Sequence, residues 1–219
     1  MLTLSILLYK KMRISGGLAK GRQTATKRLF SRASKGEELR PTSSKVREAI
    51  FDILRDKIEG ASFVDLYAGT GTVGLESLSR GAGKAVFVEP NKVRAKAIKE
   101  TAVKFGFGEK AIVVNRKAHE FLKKSSIKKE RFDIFFVDPP YCSEEIMIIL
   151  PVIGEKGLLN DDGVVVVEHF FKRKLPETVN ELKMIRSYRY GDTMLTIYMK
   201  RHRKEWRNSE QDSSVSRDI

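Results

Sequence analysis

A chain of 219 residues fits one domain with at most a small appendage, and 41% hydrophobic with 32% charged residues is an ordinary makeup for a soluble globular protein. The single cysteine, Cys142, excludes an internal disulfide, and the apolar run Leu4–Tyr9 is too short to span a bilayer and lacks the preceding basic residues of a signal peptide. A cytoplasmic protein is therefore expected, with targeting by the basic, acid-poor start as the alternative.

The unusual property is a net charge of +14, from 42 Lys+Arg against 28 Asp+Glu. It is unevenly placed. Residues 1–45 hold 11 basic and 2 acidic side chains, residues 200–207 add a net +4, and the 154 residues between them carry only +3. A near-neutral body with basic ends suggests a body that does chemistry and ends that hold a polyanion. Basic tails kept only for solubility would give the same charge pattern.

In chain order, residues 1–41 read as a basic N-terminal extension, with Gly16, Gly17 and Gly21 set among Arg13, Lys20, Arg22, Lys27 and Arg28. Short strands near Met12–Ser15 and Thr24–Leu29 are expected there. Thr42 or Ser43 caps a helix after Pro41, whose apolar stripe is Val46, Ala49, Ile50, Ile53 and Leu54. The opposite face, with Lys45, Arg47 and Glu48, is expected to meet solvent or a partner. From residue 62 strands and helices alternate: strands at Ser62–Leu66, Ala85–Val88, Ala111–Asn115, Phe132–Val137 and Gly163–Val167, helices at Val73–Arg80, Lys92–Phe105, His119–Lys124 and Glu144–Ile153. The strand Phe132–Val137 is almost wholly apolar, as when both sheet faces are covered. Strands near Lys183–Arg189 and Met194–Met199, joined through Gly191 and Asp192, form an antiparallel pair. The pattern predicts an α/β fold with a doubly wound, mostly parallel sheet over 42–200 and a polar, disordered tail over 201–219.

The first chemical signal lies between the first strand and its helix: Asp65, Leu66, Tyr67, Ala68, Gly69, Thr70, Gly71, Thr72, Val73, Gly74. Glycines there let the backbone turn tightly and approach a ligand. The same glycines satisfy the dinucleotide pattern G-x-G-x-x-G, so a nicotinamide-dependent oxidoreductase is one reading. Asp65 favours another, because a pyrophosphate at the helix N-terminus would be repelled by a carboxylate. A cofactor with an ammonium group and no phosphates suits Asp65 better. Glu89, before Pro90 at the end of the second strand, is placed to take both hydroxyls of a ribose. A turn cap at Asp65 and a surface acid at Glu89 are the plainer alternatives.

The second signal is Asp138, Pro139, Pro140 and Tyr141, directly after the fourth strand and so in the crevice at the carboxyl edge of the sheet. An aromatic amine is a poor nucleophile because its lone pair is delocalised into the ring. Acceptors that bond its two hydrogens favour the pyramidal, nucleophilic geometry. Asp138 and the Pro139 carbonyl are candidates for those acceptors, and the Tyr141 ring for stacking on a base. A rigid turn with a buried aromatic is the alternative.

Taken together, Asp65–Gly71, Glu89 and Asp138–Tyr141 resemble the class I S-adenosylmethionine-dependent methyltransferases that modify amino groups of nucleic-acid bases. Arg13–Gly17, Gly21–Arg22, Leu39–Thr42 and Val46–Glu48, with Gly74–Glu76 and Ser79–Gly81, are similar to the RsmD family. That family methylates N2 of a guanine in small-subunit (16S) ribosomal RNA. The resemblance covers about residues 12–200. It implies S-adenosylmethionine as cofactor, with Asp65, Tyr67, Gly69, Thr70 and Gly71 on its methionine side, Glu89 and Pro90 at the ribose, and Lys117 and Ala118 bordering the adenine. Many relatives in the wider superfamily have an acid near Lys117, which itself cannot accept a hydrogen bond. The resemblance further implies that Asp138, Pro139, Pro140 and Tyr141 grip the guanine. Arg40, Thr42 and Arg47 would lie near the mouth of the site, touching RNA or ordering the N-terminal segment. Arg13, Lys20, Arg22, Lys27 and Arg28 are the remaining candidates for RNA contact. Because the similarity begins near Met12, that residue is the expected native start.

The implied partner is ribosomal RNA, free or in a partly assembled small subunit, and a monomer is expected. No metal site is expected, since His119 and His202 lack ligand neighbours at suitable spacing. The basic run Lys200–Lys204 with Trp206 suits RNA or solvent equally well. A DNA adenine-N6 or cytosine-N4 methyltransferase shares the proline loop, but no large target-recognition insertion is visible. A catalytically silent RNA-binding protein of the same fold is a further reading.

Overall fold

The computed structural model describes residues 12–24, 42–140, 143–155 and 157–200. The expectations for Leu4–Tyr9, for Lys27, Arg28, Arg40, Tyr141 and Cys142, and for the tail after residue 200 lie outside them. Eight strands form one sheet: β1 (Ser62–Asp65), β2 (Lys84–Val88), β3 (Ala111–Val114), β4 (Phe132–Val137), β5 (Leu159–Phe170), β6 (Thr178–Val179), β7 (Leu182–Tyr190) and β8 (Thr193–Lys200). Their spatial order is β3-β2-β1-β4-β5-β8-β7-β6. The first five are parallel, and β8, β7 and β6 are added antiparallel. The chain runs outward from β1 to β3 and then returns to the other side of β1 as β4, so a switch point lies between β1 and β4. A crevice at the carboxyl ends of those two strands is the place where such sheets bind ligands.

Among the described residues five α-helices cover the two faces: α1 (Ser44–Ile53), α2 (Thr72–Ser79), α3 (Lys92–Lys104), α4 (Ala118–Ile127) and α5 (Glu145–Glu155). Strand alternation divides the apolar residues between two cores. Phe63, Phe87, Ile134, Phe136, Val164, Val166 and Leu195 face α1, α2 and α3. Val64, Val86, Phe135, Val137, Val165, Val167 and Tyr198 face α4 and α5. Covering on both sides is why β4 reads as a continuous apolar run. Among the described residues no helix is long and apolar enough to cross a membrane.

The elements agree closely with the sequence pattern, including the Ser43 cap, whose hydroxyl accepts from the Val46 amide at 3.2 Å. Two expectations need correction. β5 runs from Leu159 to Phe170, longer than the expected 163–167, because β8 pairs with it as far as Phe170↔Thr193. Arg47 is not on an exposed face. It is 2% exposed, although it lies off the apolar stripe.

Burial of Arg47 is made possible by Glu76, an acid inside α2 that is itself 0% exposed. Arg47 Nε donates to Glu76 at 2.6 Å, and its Nη2 donates to the Arg13 carbonyl at 2.7 Å. Arg80 Nη2 donates to the same carboxylate at 2.9 Å, and the Ser15 hydroxyl donates to it as well. This network docks the N-terminal segment on α2. Among the described residues of this segment an isolated bridge, Arg13↔Gln23, forms at the expected Met12–Ser15 strand, while residues 25–29 of the second expected strand lie outside them. The loop between the bridged residues is fixed: Leu18 N–H donates to Ser79 O at 2.7 Å, and Ala19 N–H to the Ser79 hydroxyl at 2.8 Å. Gly17 adopts φ +74°, and a Cβ there would sit 1.8 Å from Ser79 O, so only glycine permits the approach. Ile14 and Ala19 join the core.

Replacing Glu76 by Ala leaves the Arg47 guanidinium buried without its carboxylate. The expected loss is about 3–5 kcal/mol of stability, measured by urea unfolding. A loss below about 1 kcal/mol would mean that water reaches Arg47 freely.

Candidate active site

The loop from β1 to α2 begins at Asp65 and passes Gly69 and Gly71, both at positive φ (53° and 73°). Gly71 is the residue that caps α2, and a Cβ there would lie 2.8 Å from the Ile98 side chain. The third glycine, Gly74, allows α2 to pack on β2, because its Cβ would lie 2.3 Å from the Phe87 ring. These positions leave the backbone of residues 69–71 open to close approach by a ligand.

Asp65 is 2% exposed. One oxygen accepts from the Gly74 amide at 3.1 Å, while the other, Oδ1, is buried without a hydrogen-bond partner. Such an atom calls for a donor. Burial pushes the Asp65 carboxyl up to about 7; the Gly74 amide opposes the rise and the Glu89 charge adds to it. Tyr67, partly exposed in the same loop, has a buried hydroxyl, and burial together with the neighbouring Glu145 carboxylate, to which the hydroxyl is directed, holds its phenol far above the ordinary range. A cationic donor at Asp65 would satisfy the orphaned oxygen and remove the cost of ionising it. The amino group of an amino-acid moiety has that chemistry, so the residues fit the methionine end of S-adenosylmethionine.

Glu89 follows β2 and is 3% exposed. Its carboxylate ties the turn together: Gly69 N–H donates at 2.9 Å, Asn91 N–H at 2.8 Å, and Arg94 Nη1 stands 3.6 Å away. Asn115, not singled out from the sequence, donates to the carbonyls of Glu89 and Pro90 at 2.9 and 2.8 Å and fixes that corner. Its place at the end of β3 was the available signal. Lys117 caps α4 as an exposed residue, and Ala118 beside it is buried.

Asp138 leaves β4 next to β1, so the D-P-P segment and the glycine turn share the carboxyl edge of the sheet. Pro139 is buried and Pro140 exposed. The Thr42 hydroxyl, just before α1, donates to Asp138 Oδ2 at 3.5 Å. The start of α1 therefore stands over this loop. Of the expected RNA-contacting residues, Arg13, Lys20 and Arg22 are exposed, and Arg22 also donates to Phe105 O at 3.2 Å. Arg47 is enclosed, which leaves it the role of ordering the N-terminal segment. Glu76, Ser79 and Arg80, which hold that segment, were not recognised as a group from the sequence. Their partners lie about 60 positions away.

A Rossmann-like sheet in this order, with a glycine turn after β1, an acid after β2 and a D-P-P loop after β4, is a methyltransferase architecture. The family described as conserved hypothetical protein 95 matches residues 12–199. The chain belongs to this family, the RsmD family. It is similar to the putative rRNA methyltransferase YlbH of Bacillus subtilis (34% identity, covering 87% of this chain and 100% of the relative). It is also similar to ribosomal RNA small subunit methyltransferase D of Escherichia coli K12 (30% identity, 87% and 90% covered). A solved structure of the putative methyltransferase yhhF from Escherichia coli superposes with TM-score 0.73 at 27% identity, covering 89% of this chain and all of the other.

With an ammonium group at Asp65, cofactor binding is expected to depend on pH. Below pH about 7 its carboxyl is protonated in the unliganded protein and offers an ammonium no charge. Calorimetric titration should show affinity for S-adenosylmethionine falling up to tenfold per pH unit below about 7 and levelling above it. Asp65→Asn should weaken binding and flatten that profile. For unliganded stability the sign is opposite. The folded-state pKa, about 7, exceeds the reference 3.8, so this group's contribution is full below the reference value and is lost as pH rises through about 7.

Proposed function

We propose that this protein transfers a methyl group from S-adenosylmethionine to the exocyclic N2 amino group of a guanine in small-subunit ribosomal RNA. The observation that carries the reading is the meeting of Asp138 and Pro139 with the Asp65–Gly71 turn at one sheet edge. Relatives named as small-subunit ribosomal RNA methyltransferases support the substrate.

When bound, S-adenosylmethionine supplies an electrophilic methyl group on a sulfonium sulfur. Asp65 accepts from its ammonium, Glu89 from its ribose hydroxyls, and the Gly69–Gly71 backbone lets it approach. Asp138 and the Pro139 carbonyl accept the two hydrogens of the guanine amino group. This draws the nitrogen toward a pyramidal geometry with its lone pair localised. Tyr141, next along the chain, is placed by sequence to stack on the base. As the new N–C bond forms the nitrogen becomes acidic, so its proton passes to Asp138 or to water without a strong base.

The guanine must leave its stack to reach Asp138, which suits a loop or an incompletely assembled subunit. Arg13, Lys20 and Arg22, with the basic residues that follow, would hold phosphates and make binding salt-dependent.

Purified protein given labelled cofactor and, separately, small-subunit RNA, partly assembled subunits and duplex DNA should yield N2-methylguanosine from the RNA or the subunits, read by mass spectrometry. Methyladenine or methylcytosine in DNA would overturn the substrate. Asp138→Ala should lower turnover at least about 10²–10³-fold while cofactor affinity stays within about twofold. Retained turnover would remove the role given to Asp138.

A further inference from the structure

Asp138 and Pro139 account for the guanine's amino group but not for its neighbour on the same edge, N1–H. A second carboxylate, Glu168, lies at the same edge of the sheet. The last register pair between β4 and β5 is Val137↔Val167, so Asp138, the first residue past β4, and Glu168, still within β5, each follow that pair by one position. Strands so paired are about 4.8 Å apart.

Both residues also belong to the same face. Val164 and Val166 pack with α1, and the period of two places Glu168 after them on that side. Leu195, paired with Glu168 across β8, is in the same core. Asp138 is tied to that face by Thr42, at the entrance to α1. Glu168 is 4% exposed. An acid thus fills a position where alternation calls for an apolar residue, one step past the same register pair as Asp138, at the sheet edge where ligands bind. A local rule broken in this way marks function more often than packing.

We propose that Glu168 accepts the N1–H of the target guanine beside the amino group held by Asp138, and thereby makes the site select guanine over adenine. The proposal rests on the reading of the site given above. Guanine presents two neighbouring donors, N1–H and the 2-amino group, to which two carboxylates are matched. Adenine presents a bare N1 lone pair beside its amino group, and an ionised carboxylate, which only accepts, meets it with repulsion. Glu168 is a specificity-determining residue, distinct from the acceptors that activate the nucleophile.

The test uses the full chain and small-subunit RNA in which the methylated guanine is replaced by 2-aminopurine, which keeps the 2-amino group and lacks N1–H. Wild-type kcat/KM should fall at least about 10²-fold on the analogue, since a buried acceptor is left facing a lone pair. In Glu168→Gln the amide can donate to that lone pair, so discrimination should shrink to about tenfold or less, with cofactor affinity unchanged. The variant separates this contact from loss of the guanine O6, which the analogue also lacks. Equal wild-type rates on the two RNAs would overturn the proposal without any variant. So would full discrimination retained in a Glu168→Gln protein that binds cofactor normally. Wild-type methylation of adenine, or no transfer to the guanine RNA, would overturn the proposal together with the reading beneath it.

Discussion

The arrangement depends on one buried carboxylate. Glu76 lies inside α2, fully enclosed, and is ionically bonded to Arg47 from α1 and to Arg80 from the C-terminal end of its own helix, with Ser15 of the N-terminal segment donating as well. A charge so enclosed is tolerable only when partners and hydrogen bonds surround it. The partners come from three parts of the chain, so their relative positions are set together. α2 carries the glycine turn at its start, α1 brings Thr42 to Asp138, and the N-terminal segment brings the exposed basic residues. One ion network therefore holds the glycine turn, the D-P-P loop and the basic N-terminal segment in a common frame.

The sheet sets the complementary constraint. Its switch point between β1 and β4 puts Asp65 and Asp138 at neighbouring strand ends, and β5 carries Glu168 one position past its last pair with β4. Three acids converge at one edge of a chain whose net charge is +14. The basic excess resides mainly at the ends and the acids at the centre. On the proposed function, that separation draws a polyanion to the periphery while ammonium and amino groups are received in the middle.

Much of this was legible in the sequence. Alternating strands and helices signal the parallel sheet, and an apolar run such as Phe132–Val137 fits a strand covered on both faces. Asp65, Glu89 and Asp138 stand at strand ends, where local spacing alone predicts a crevice. What stayed hidden depends on distant partners. Arg47 reads as exposed by helical periodicity, since nothing in its own helix reveals an enclosed acid 29 positions later. Glu168 and His169 look too polar to continue a strand, yet β8 supplies the pairing that carries β5 to Phe170. The glycine-rich stretch at 16–21 looks irregular and is indeed without helix or strand, but its backbone is bonded to Ser79.

The bonding of that stretch bears on how the molecule opens. Ser15, Leu18 and Ala19 donate their amides to α2, to Glu76 and to Ser79. Hydroxyl contacts link Thr24 to Thr72 at 3.4 Å and Thr72 to Thr70 in the glycine turn at 2.9 Å. Amide hydrogens in this surface loop are thereby shielded like those of a helix, and they exchange with solvent only when the loop lifts from α2. Through these hydroxyls the loop and the glycine turn share contacts, so lifting the first removes part of what holds the second.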